Sequence, residues 1–305
     1  MLELSIGASA LGAKEGVMET FQPRRILCPT DFSELATFAL KYAREVAQCF
    51  HGRLLIMYAD PFLPPPHFTA RQVDELVQAL ERSKMAAREA LADYVWKHVG
   101  DRVETESLVV EDWPVPAILR TAEERDVDLI VMGTHGRRGL SRVMLGSVTE
   151  RVLRETDRPV LTVRYKQGAE KEHPISITRI LCPVNFTDVA MKALGHAVSM
   201  ARCFDAQLVV LNVVESPGGE SSEQEELDRL CAWVPGDVRS SCHVQEMVRR
   251  GHAAEQIIDV AASIGCDLIV LGAQHRRFSD TTVIGTTTER VTRHAPCPVL
   301  TVIRR

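Results

Sequence analysis

The segment RILCP stands at residues 25–29 and is repeated without change at residues 179–183, a shift of 154 positions. Comparing residues 25–59 with residues 179–213 gives 14 identities in 35 aligned positions. Self-similarity of this extent is typical of an internal duplication. The chain therefore contains one fold twice.

A second pair of matching segments closes each copy. Residues 128–164 align with residues 267–303 at a shift of 139, with 18 identities in 37 positions. The change of shift from 154 to 139 means that the second copy has lost 15 residues between its two matching segments, after its second strand. We assign residues 21–165 and 175–305 to two domains and interpret residues 165–177 as the linker.

Within the first copy, short apolar runs alternate with helical patterns. Strands that are apolar throughout and separated by helices predict a parallel sheet covered on both faces. The predicted strands are 25–30, 53–59, 103–110, 128–133 and 159–164, and the predicted helices are 33–50, 70–99, 115–126 and 147–157. The second copy has the same order with a shorter second helix near 220–234, so the fold class is α/β with two tandem doubly wound domains.

Composition excludes several classes of protein. A chain of 305 residues with 45% hydrophobic content is long enough for two domains of about 150 residues, each with its own core. The net charge of −5 gives no concentrated positive field, so we expect no nucleic-acid partner. No apolar run approaches the roughly 18 residues of a membrane span, and residues 1–20 lack a signal-peptide pattern, so we expect a cytoplasmic protein.

Eight cysteines raise the question of disulfides. Two pairs occupy matching repeat positions inside apolar patterns, Cys28 with Cys182 and Cys49 with Cys203. We interpret these four residues as core thiols rather than as disulfides. The chain contains no CxxC, and its Cys and His residues are too isolated to predict a zinc site, so we expect no metal.

Candidate chemistry begins at the end of the first strand. In a doubly wound sheet, ligands bind at the carboxyl ends of the strands, beside the point where strand order reverses. The first strand runs into Thr30-Asp31-Phe32-Ser33, which puts a carboxylate where a helix begins. Asp31 is either a ligand of the bound molecule or a helix-cap and turn residue.

The fourth strand ends in a glycine pattern. It runs into Gly133 and Gly136, and after nine intervening residues Gly146 and Ser147 open a helix. Glycines allow the backbone to approach a ligand closely, and a helix N-terminus favours a phosphate. A single glycine-rich turn could equally be an ordinary loop with a serine cap. The complete spacing, placed between strand and helix, is much more specific for a phosphate-binding loop.

These stretches resemble the universal stress protein family, in particular its ATP-binding branch. The similarity lies in ILCPTDFSELATFAL at 26–40, MGTHGRRGLSRVMLGSVTERVL at 132–153 and PVLTV from residue 159. The resemblance implies a five-stranded parallel sheet of order 3-2-1-4-5 in each domain. It also implies an adenine nucleotide as ligand: ATP with or without Mg²⁺, with ADP and AMP as alternatives.

The resemblance also implies roles for residues of the first copy. Asp31 would bond the adenosine moiety, with backbone at Thr30 and near Tyr58 framing adenine. The complete implied set is Thr30, Asp31, Tyr58, Met132, Gly133, Gly136, Arg137, Gly146, Ser147, Val148 and Thr149. Tyr58 departs from the aliphatic residue expected there, and its ring could stack on adenine or narrow the pocket.

The second copy keeps part of this set. Asp31 becomes Asn185, which removes a carboxylate, and Gly136 becomes His275, which adds a side chain where backbone should approach phosphate. The weaker second site would consist of Asn185, Gly272, Gly285, Thr286 and Thr288. We therefore expect asymmetric sites, with tight binding in the first domain only.

The leading functional interpretation is a nucleotide-dependent regulatory or stress-response binding protein with an unknown protein partner. A slow ATPase or nucleotide-dependent transferase is the alternative, as is a scaffold with remnant sites. His135 is the one candidate for acid–base chemistry, but no motif pairs it with a nucleophile and no Walker lysine is present. We assign no catalytic residue. The resemblance further implies that the two domains pair through their last strands, and a homodimer is plausible.

Overall fold

The computed structural model describes residues 20–61, 70–135, 145–164, 174–215, 222–273, 275–278 and 281–303. Its first half contains β1 (Arg25–Thr30), α1 (Glu34–Phe50), β2 (Arg53–Ala59), α2 (Ala70–His98), β3 (Thr105–Val110), α3 (Pro114–Glu124), β4 (Leu129–Gly133), α4 (Ser147–Glu155) and β5 (Val160–Val163). Each predicted strand and helix of the first copy is present. The bounds differ from the predicted ones by at most two residues.

The second half contains β6 (Arg179–Val184), α5 (Asp188–Phe204), β7 (Gln207–Val214), α6 (Glu223–Trp233), α7 (Gly236–Ser241), β8 (Val244–Arg250), α8 (Ala253–Ser263), β9 (Leu268–Ala273), β10 (His275–Phe278), β11 (Thr281–Ile284), α9 (Thr286–His294) and β12 (Val299–Ile303). The shorter second helix is α6, which a capping box at Ser222 and Glu225 starts. Pro235 follows and α7 begins afresh. The antiparallel β10–β11 hairpin was not predicted.

The large sheet has ten strands in the order β3-β2-β1-β4-β5-β12-β9-β6-β7-β8. Its first half has the predicted 3-2-1-4-5 order, and its second half repeats that order in the opposite direction. β5 and β12 pair antiparallel, with Leu161 opposite Leu300. These two leucines are equivalent in the repeat, so a pseudo-twofold axis passes between them. The predicted pairing of the two last strands is therefore confirmed.

The two faces of the sheet have different cores. On the face covered by α1 and α5, one apolar cluster runs continuously through both domains, from Leu40 and Val46 to Leu194 and Val198. On the other face there are two separate clusters, one for each domain, and the cluster of the first domain also includes Ala273 and Ile303 of the second. The two domains therefore share a core on the α1 and α5 face, where α1 also contacts α5.

Both copies have an aspartate at the amino end of their fourth strand, Asp128 and Asp267, and the two make the same backbone contacts. Asp128 Oδ2 accepts hydrogen bonds from the backbone N–H groups of Arg24 and Arg25, at 2.9 and 2.8 Å. Asp267 Oδ2 does the same for Thr178 and Arg179. Both carboxylates connect neighbouring strands at the amino ends of the strands, whereas the candidate ligand site lies at the carboxyl ends. Their role is structural.

The cysteine prediction is half right. Cys28 and Cys182 are completely buried free thiols, as predicted. The prediction for Cys49 and Cys203 is wrong, because the two residues form a disulfide. Each lies in the last turn of its helix and is partly exposed, where α1 and α5 meet across the domain boundary. Sequence periodicity placed both on apolar helices, but it could not show that the helix ends meet.

Among the helices in the described ranges, none combines the length and apolar character needed to cross a bilayer.

The β5–β12 ladder contains a matched pair of threonines with different bonding. The Thr162 hydroxyl donates to the Val299 carbonyl at 3.1 Å, whereas the equivalent Thr301 hydroxyl is buried and has no partner among the described residues. We predict that Thr162→Val lowers the free energy of unfolding by about 1 kcal/mol and that Thr301→Val raises it by a similar amount. Urea unfolding of both variants measures the difference. Equal effects of the two substitutions would contradict this assignment.

Candidate functional site

The turn between β1 and α1 holds Asp31 in a fixed position. The Ser33 N–H donates to Asp31 Oδ1 at 3.0 Å, and the Phe32 N–H donates to Thr30 Oγ1 at 3.0 Å. Phe32 has φ of 61°, an uncommon left-handed conformation for a non-glycine residue. Ser33, rather than Asp31, caps α1 by accepting from the Ala36 N–H at 3.2 Å. The carboxylate belongs to the turn and not to the helix cap.

An aromatic cluster lies behind this turn, and sequence reasoning found only one of its members. The Phe32 ring lies 4.9 Å from the Tyr58 ring and 5.2 Å from the Tyr94 ring. The Tyr94 hydroxyl donates to Thr37 Oγ1 at 3.0 Å. The Tyr58 ring therefore packs against the β1–α1 turn. Tyr94 lies 36 residues further along the chain, in α2, so no local spacing indicates that it belongs here.

Gly133 ends β4 where α1 passes very close. A Cβ at this position would lie 2.9 Å from Leu35 Cγ. The Thr149 hydroxyl donates to the Gly133 carbonyl at 2.8 Å, which ties the first turn of α4 to the end of β4. Because the hydroxyl hydrogen of Thr149 already bonds the Gly133 carbonyl, the group that Thr149 can offer to a ligand at the start of α4 is its backbone N–H.

Gly146 is the N-cap of α4 and lies against the end of β4. Its N–H donates to the Thr134 carbonyl at 2.6 Å, and a Cβ here would lie 3.1 Å from both Thr134 O and His135 Cα. Among the residues that the structure describes, no side chain caps this helix. The N–H groups of the first turn, at Ser147, Val148 and Thr149, therefore form the positive end of α4 that a phosphate would approach.

The two loops converge at one edge of the sheet. β1 and β4 are adjacent parallel strands, so Asp31 and His135 emerge side by side at their carboxyl ends. Partial burial lowers the pKa of His135, Arg164 lowers it further, and the nearby Asp31 opposes the shift. Because the net direction is downward from an ordinary value near 6.5, His135 is mainly neutral at neutral pH. Its Nδ1 lies 3.2 Å from Thr134 Oγ1.

The structure thus brings together most of the residues predicted for the first site. Thr30, Asp31, Tyr58, Met132, Gly133, Gly146, Ser147, Val148 and Thr149 lie at the carboxyl ends of β1, β2 and β4 or in the first turn of α4. Gly136 and Arg137 lie outside the described residues. Within those described residues, no group of three or more His, Cys, Asp or Glu side chains could hold a metal ion.

The second copy has the same frame with different contacts. Phe186 again has a left-handed φ, of 60°, but the preceding Asn185 accepts a hydrogen bond from Thr187 Oγ1 at 2.7 Å. The Arg229 guanidinium lies 4.4 Å above the Phe186 ring. Asn212 replaces Tyr58, and its amide donates to the Val184 carbonyl at 2.9 Å. The Phe186 ring lies 5.7 Å from the Trp233 ring of α6, so the second copy keeps an aromatic contact but has no ring in place of Tyr58.

The phosphate side of the second copy is also altered. Gly272 still lies at close approach, where a Cβ would lie 2.8 Å from Val189 O. Gly285 still caps a helix, followed by Thr286 and Thr288 in the first turn of α9. His275, at the position of Gly136, begins β10, so the chain between β9 and α9 includes an antiparallel hairpin.

Polar contacts join the phosphate-side helix α4 to the second domain. Glu150, in the first turn of α4, accepts from Arg154 at 2.6 Å and from Arg293 of α9 at 3.3 Å. Arg164 Nη1 donates to the carbonyls of Arg293 and Ala295 at the end of α9, at 2.8 and 2.9 Å. The helix that begins at the candidate phosphate site is therefore bonded directly to its counterpart.

Comparison with known proteins agrees with this architecture. A model of the universal stress protein family matches residues 23–164 and again 176–302. A universal stress protein of Methanocaldococcus jannaschii is 35% identical over 150 residues, which cover 46% of this chain and 82% of that protein. One from Mycolicibacterium smegmatis is 25% identical over 295 residues, which cover 91% of this chain and 96% of its own.

A solved structure shows the same tandem fold. The crystal structure of a universal stress protein from Archaeoglobus fulgidus superposes with a TM-score of 0.69 at 20% identity, covering 93% of this chain and all of that one. The family model matches both halves of the chain, and the fold agrees over nearly its full length. The chain therefore belongs to the universal stress protein family and consists of two such domains in tandem.

Proposed function

We propose that the protein binds ATP in its first domain and acts as a nucleotide-dependent regulatory protein in the stress response. The observation that carries this proposal is the convergence of Asp31, the Gly133 turn and the N-terminus of α4 at the carboxyl edge of β1 and β4. This is the place where doubly wound sheets bind their ligands.

Each part of the site suits one part of the nucleotide. Asp31 offers a carboxylate that can accept hydrogen bonds from the hydroxyl or amino donors of adenosine. The first turn of α4 offers backbone donors and a positive dipole to the phosphates. The Tyr58 ring contacts Phe32, which favours a supporting role for this ring behind the site over either stacking or narrowing.

The proposal assigns weaker binding to the second domain. Asn185 carries no charge, and its side-chain oxygen already accepts from Thr187. His275, which begins the β10–β11 hairpin, stands where the sequence of the first copy has Gly136. Gly285, Thr286 and Thr288 still form a helix start that can attract an anion.

The proposed regulation requires that the protein binds the nucleotide but not that it hydrolyses ATP. Glu150 lies in the same helical turn as the proposed phosphate ligands and also bonds Arg293 of the second domain. Nucleotide binding at α4 would therefore bear on the domain contact and on whichever protein partner recognises it. We place this activity in the cytoplasm, where adenine nucleotides are available.

We predict one tightly bound ATP per chain, with Asp31→Ala weakening binding at least ten-fold. Loss of a charge-assisted hydrogen bond costs roughly 1.5 to 3 kcal/mol, and 1.4 kcal/mol is about a factor of ten in affinity. Isothermal titration calorimetry on nucleotide-free protein measures both the stoichiometry and the dissociation constant. Asn185→Ala is the matched control and should have little effect. Two equal sites, or tight binding in the second domain alone, would show the assignment to be wrong.

We predict that Gly146→Val weakens ATP binding about ten-fold or more while the sheet remains folded. The new side chain would meet backbone atoms of Thr134 and His135, so the start of α4 has to shift, at a cost of about 1 to 3 kcal/mol. Gly236→Val is the control, because a Cβ there meets nothing within 4 Å. Unchanged affinity in a folded Gly146→Val protein, checked by circular dichroism, removes this helix start from the site.

We predict that the protein saturated with ATP and Mg²⁺ releases phosphate no faster than ATP hydrolyses in the absence of the protein. His135 is held mainly neutral, and its hydrogen-bond partner among the described residues is the hydroxyl of its own neighbour Thr134. A continuous phosphate assay measures the rate. Release that disappears in Asp31→Ala but persists in Asn185→Ala would support the ATPase alternative instead.

A further inference from the structure

The disulfide joins the two domains at equivalent positions. Cys49 lies in the last turn of α1 and Cys203 in the last turn of α5, with their Cα atoms 5.8 Å apart. Their separation of 154 residues equals the shift between the two copies. The same residue of each domain therefore meets its counterpart across the pseudo-twofold axis.

This pair differs from the other cysteines in its surroundings. Cys28 and Cys182 are completely buried, and burial raises the pKa of the Cys28 thiol to about 12. Cys266 and Cys297 contact each other within the second domain, but both are buried beneath the sheet surface. Cys49 and Cys203 are partly exposed. Among these three pairs, only the one at the domain boundary combines a close partner with access for a reagent in water.

The contact between α1 and α5 does not depend on the sulfur bond. The Phe21 ring stacks on His196 of α5 at 4.1 Å and lies 6.2 Å from Phe50, the residue after Cys49. The Phe21 N–H also donates to Ser199 Oγ at 3.1 Å. With the β5–β12 ladder and the continuous core, these contacts hold the helix ends together. The two sulfurs therefore remain at high effective concentration when reduced.

We propose that Cys49 and Cys203 form a reversible redox site that reacts with peroxides and with small thiols. One thiolate attacks a peroxide oxygen and becomes a sulfenic acid while the peroxide O–O bond breaks, releasing water or an alcohol. The second thiolate attacks that sulfur, the S–S bond forms, and the hydroxyl leaves as water. Two cysteines are oxidised by two electrons in total, and one peroxide is reduced.

The reverse reaction consumes two thiols, and a dithiol reductant supplies both in one molecule. A thiolate of the reductant attacks one sulfur, forms a mixed disulfide and releases the other cysteine as a thiolate, and the second thiol of the reductant then displaces the first cysteine. The oxidised state clamps α1 to α5 by a covalent bond, and the reduced state leaves the noncovalent contacts alone. The proposed redox reaction does not depend on nucleotide binding, because Cys49 and Cys203 lie where α1 and α5 end, whereas Asp31 lies just before α1 begins.

Differential alkylation with peptide mass spectrometry tests the proposal. The full chain is reduced, freed of reductant and treated with one equivalent of hydrogen peroxide, and free thiols are then alkylated in denaturant. We expect the free thiols to fall from the eight of the sequence to six, with Cys49 and Cys203 recovered in one cross-linked peptide from monomeric chain. Dithiothreitol should reopen the bond in the folded protein without denaturant.

Substitutions separate this pair from other thiols. Cys49→Ser and Cys203→Ser should each abolish the cross-linked peptide. Cys231→Ser, which removes a partly exposed cysteine of α6, should leave it unchanged. The peptide map of the wild-type protein tests the proposal even if one of the variants fails to fold. Failure of peroxide to link the pair, or a bond that dithiothreitol opens only after unfolding, would overturn the proposal.

Discussion

The antiparallel ladder between β5 and β12 is the constraint on which the rest of the structure depends. Both strands are apolar and buried along their described length, and each would be the exposed edge of its own sheet if the domains were separate. An exposed apolar edge favours pairing with another strand. Once Leu161 lies opposite Leu300, the pseudo-twofold axis is fixed. The meeting of α4 with α9, and of α1 with α5, follows from that single register.

Local pattern predicts the elements of the fold, because the strands are short runs of continuous apolar residues and the helices between them have helical patterns. The sequence spacing also singles out Asp31, Gly133 and Gly146, and the structure places them after β1, at the end of β4 and at the start of α4. The features that were missed all depend on distant contacts. Tyr94 reaches the site from α2, and Cys49 meets Cys203 across the domain boundary. The β10–β11 hairpin pairs residues that carry no two-residue turn signal between alternating apolar runs, so the sequence did not indicate it.

Divergence between the copies follows the geometry of the sheet. An isologous contact requires the same surface from both partners, and the ladder accordingly keeps identical residues at Leu161 and Leu300. The aspartates at the amino edge, Asp128 and Asp267, are also kept, because each connects strands within its own domain. The carboxyl edge carries no such requirement. Changes at Asn185, Asn212 and His275 leave the sheet intact, so the second copy could lose ligand contacts while still completing the core of the first.

Helix α1 connects two chemically different ends of the first domain. It begins beside Asp31 and ends beside Cys49, and its 17 residues span about 25 Å. Over such a distance the disulfide can influence the proposed nucleotide site only by moving the helix as a rigid body. Leu35 lies so close to Gly133 that even a Cβ would meet it at 2.9 Å. A shift of α1 against the sheet therefore has to move the end of β4 or open a gap beside it. Gly133 is thus the point at which a displacement of α1 would reach the proposed site.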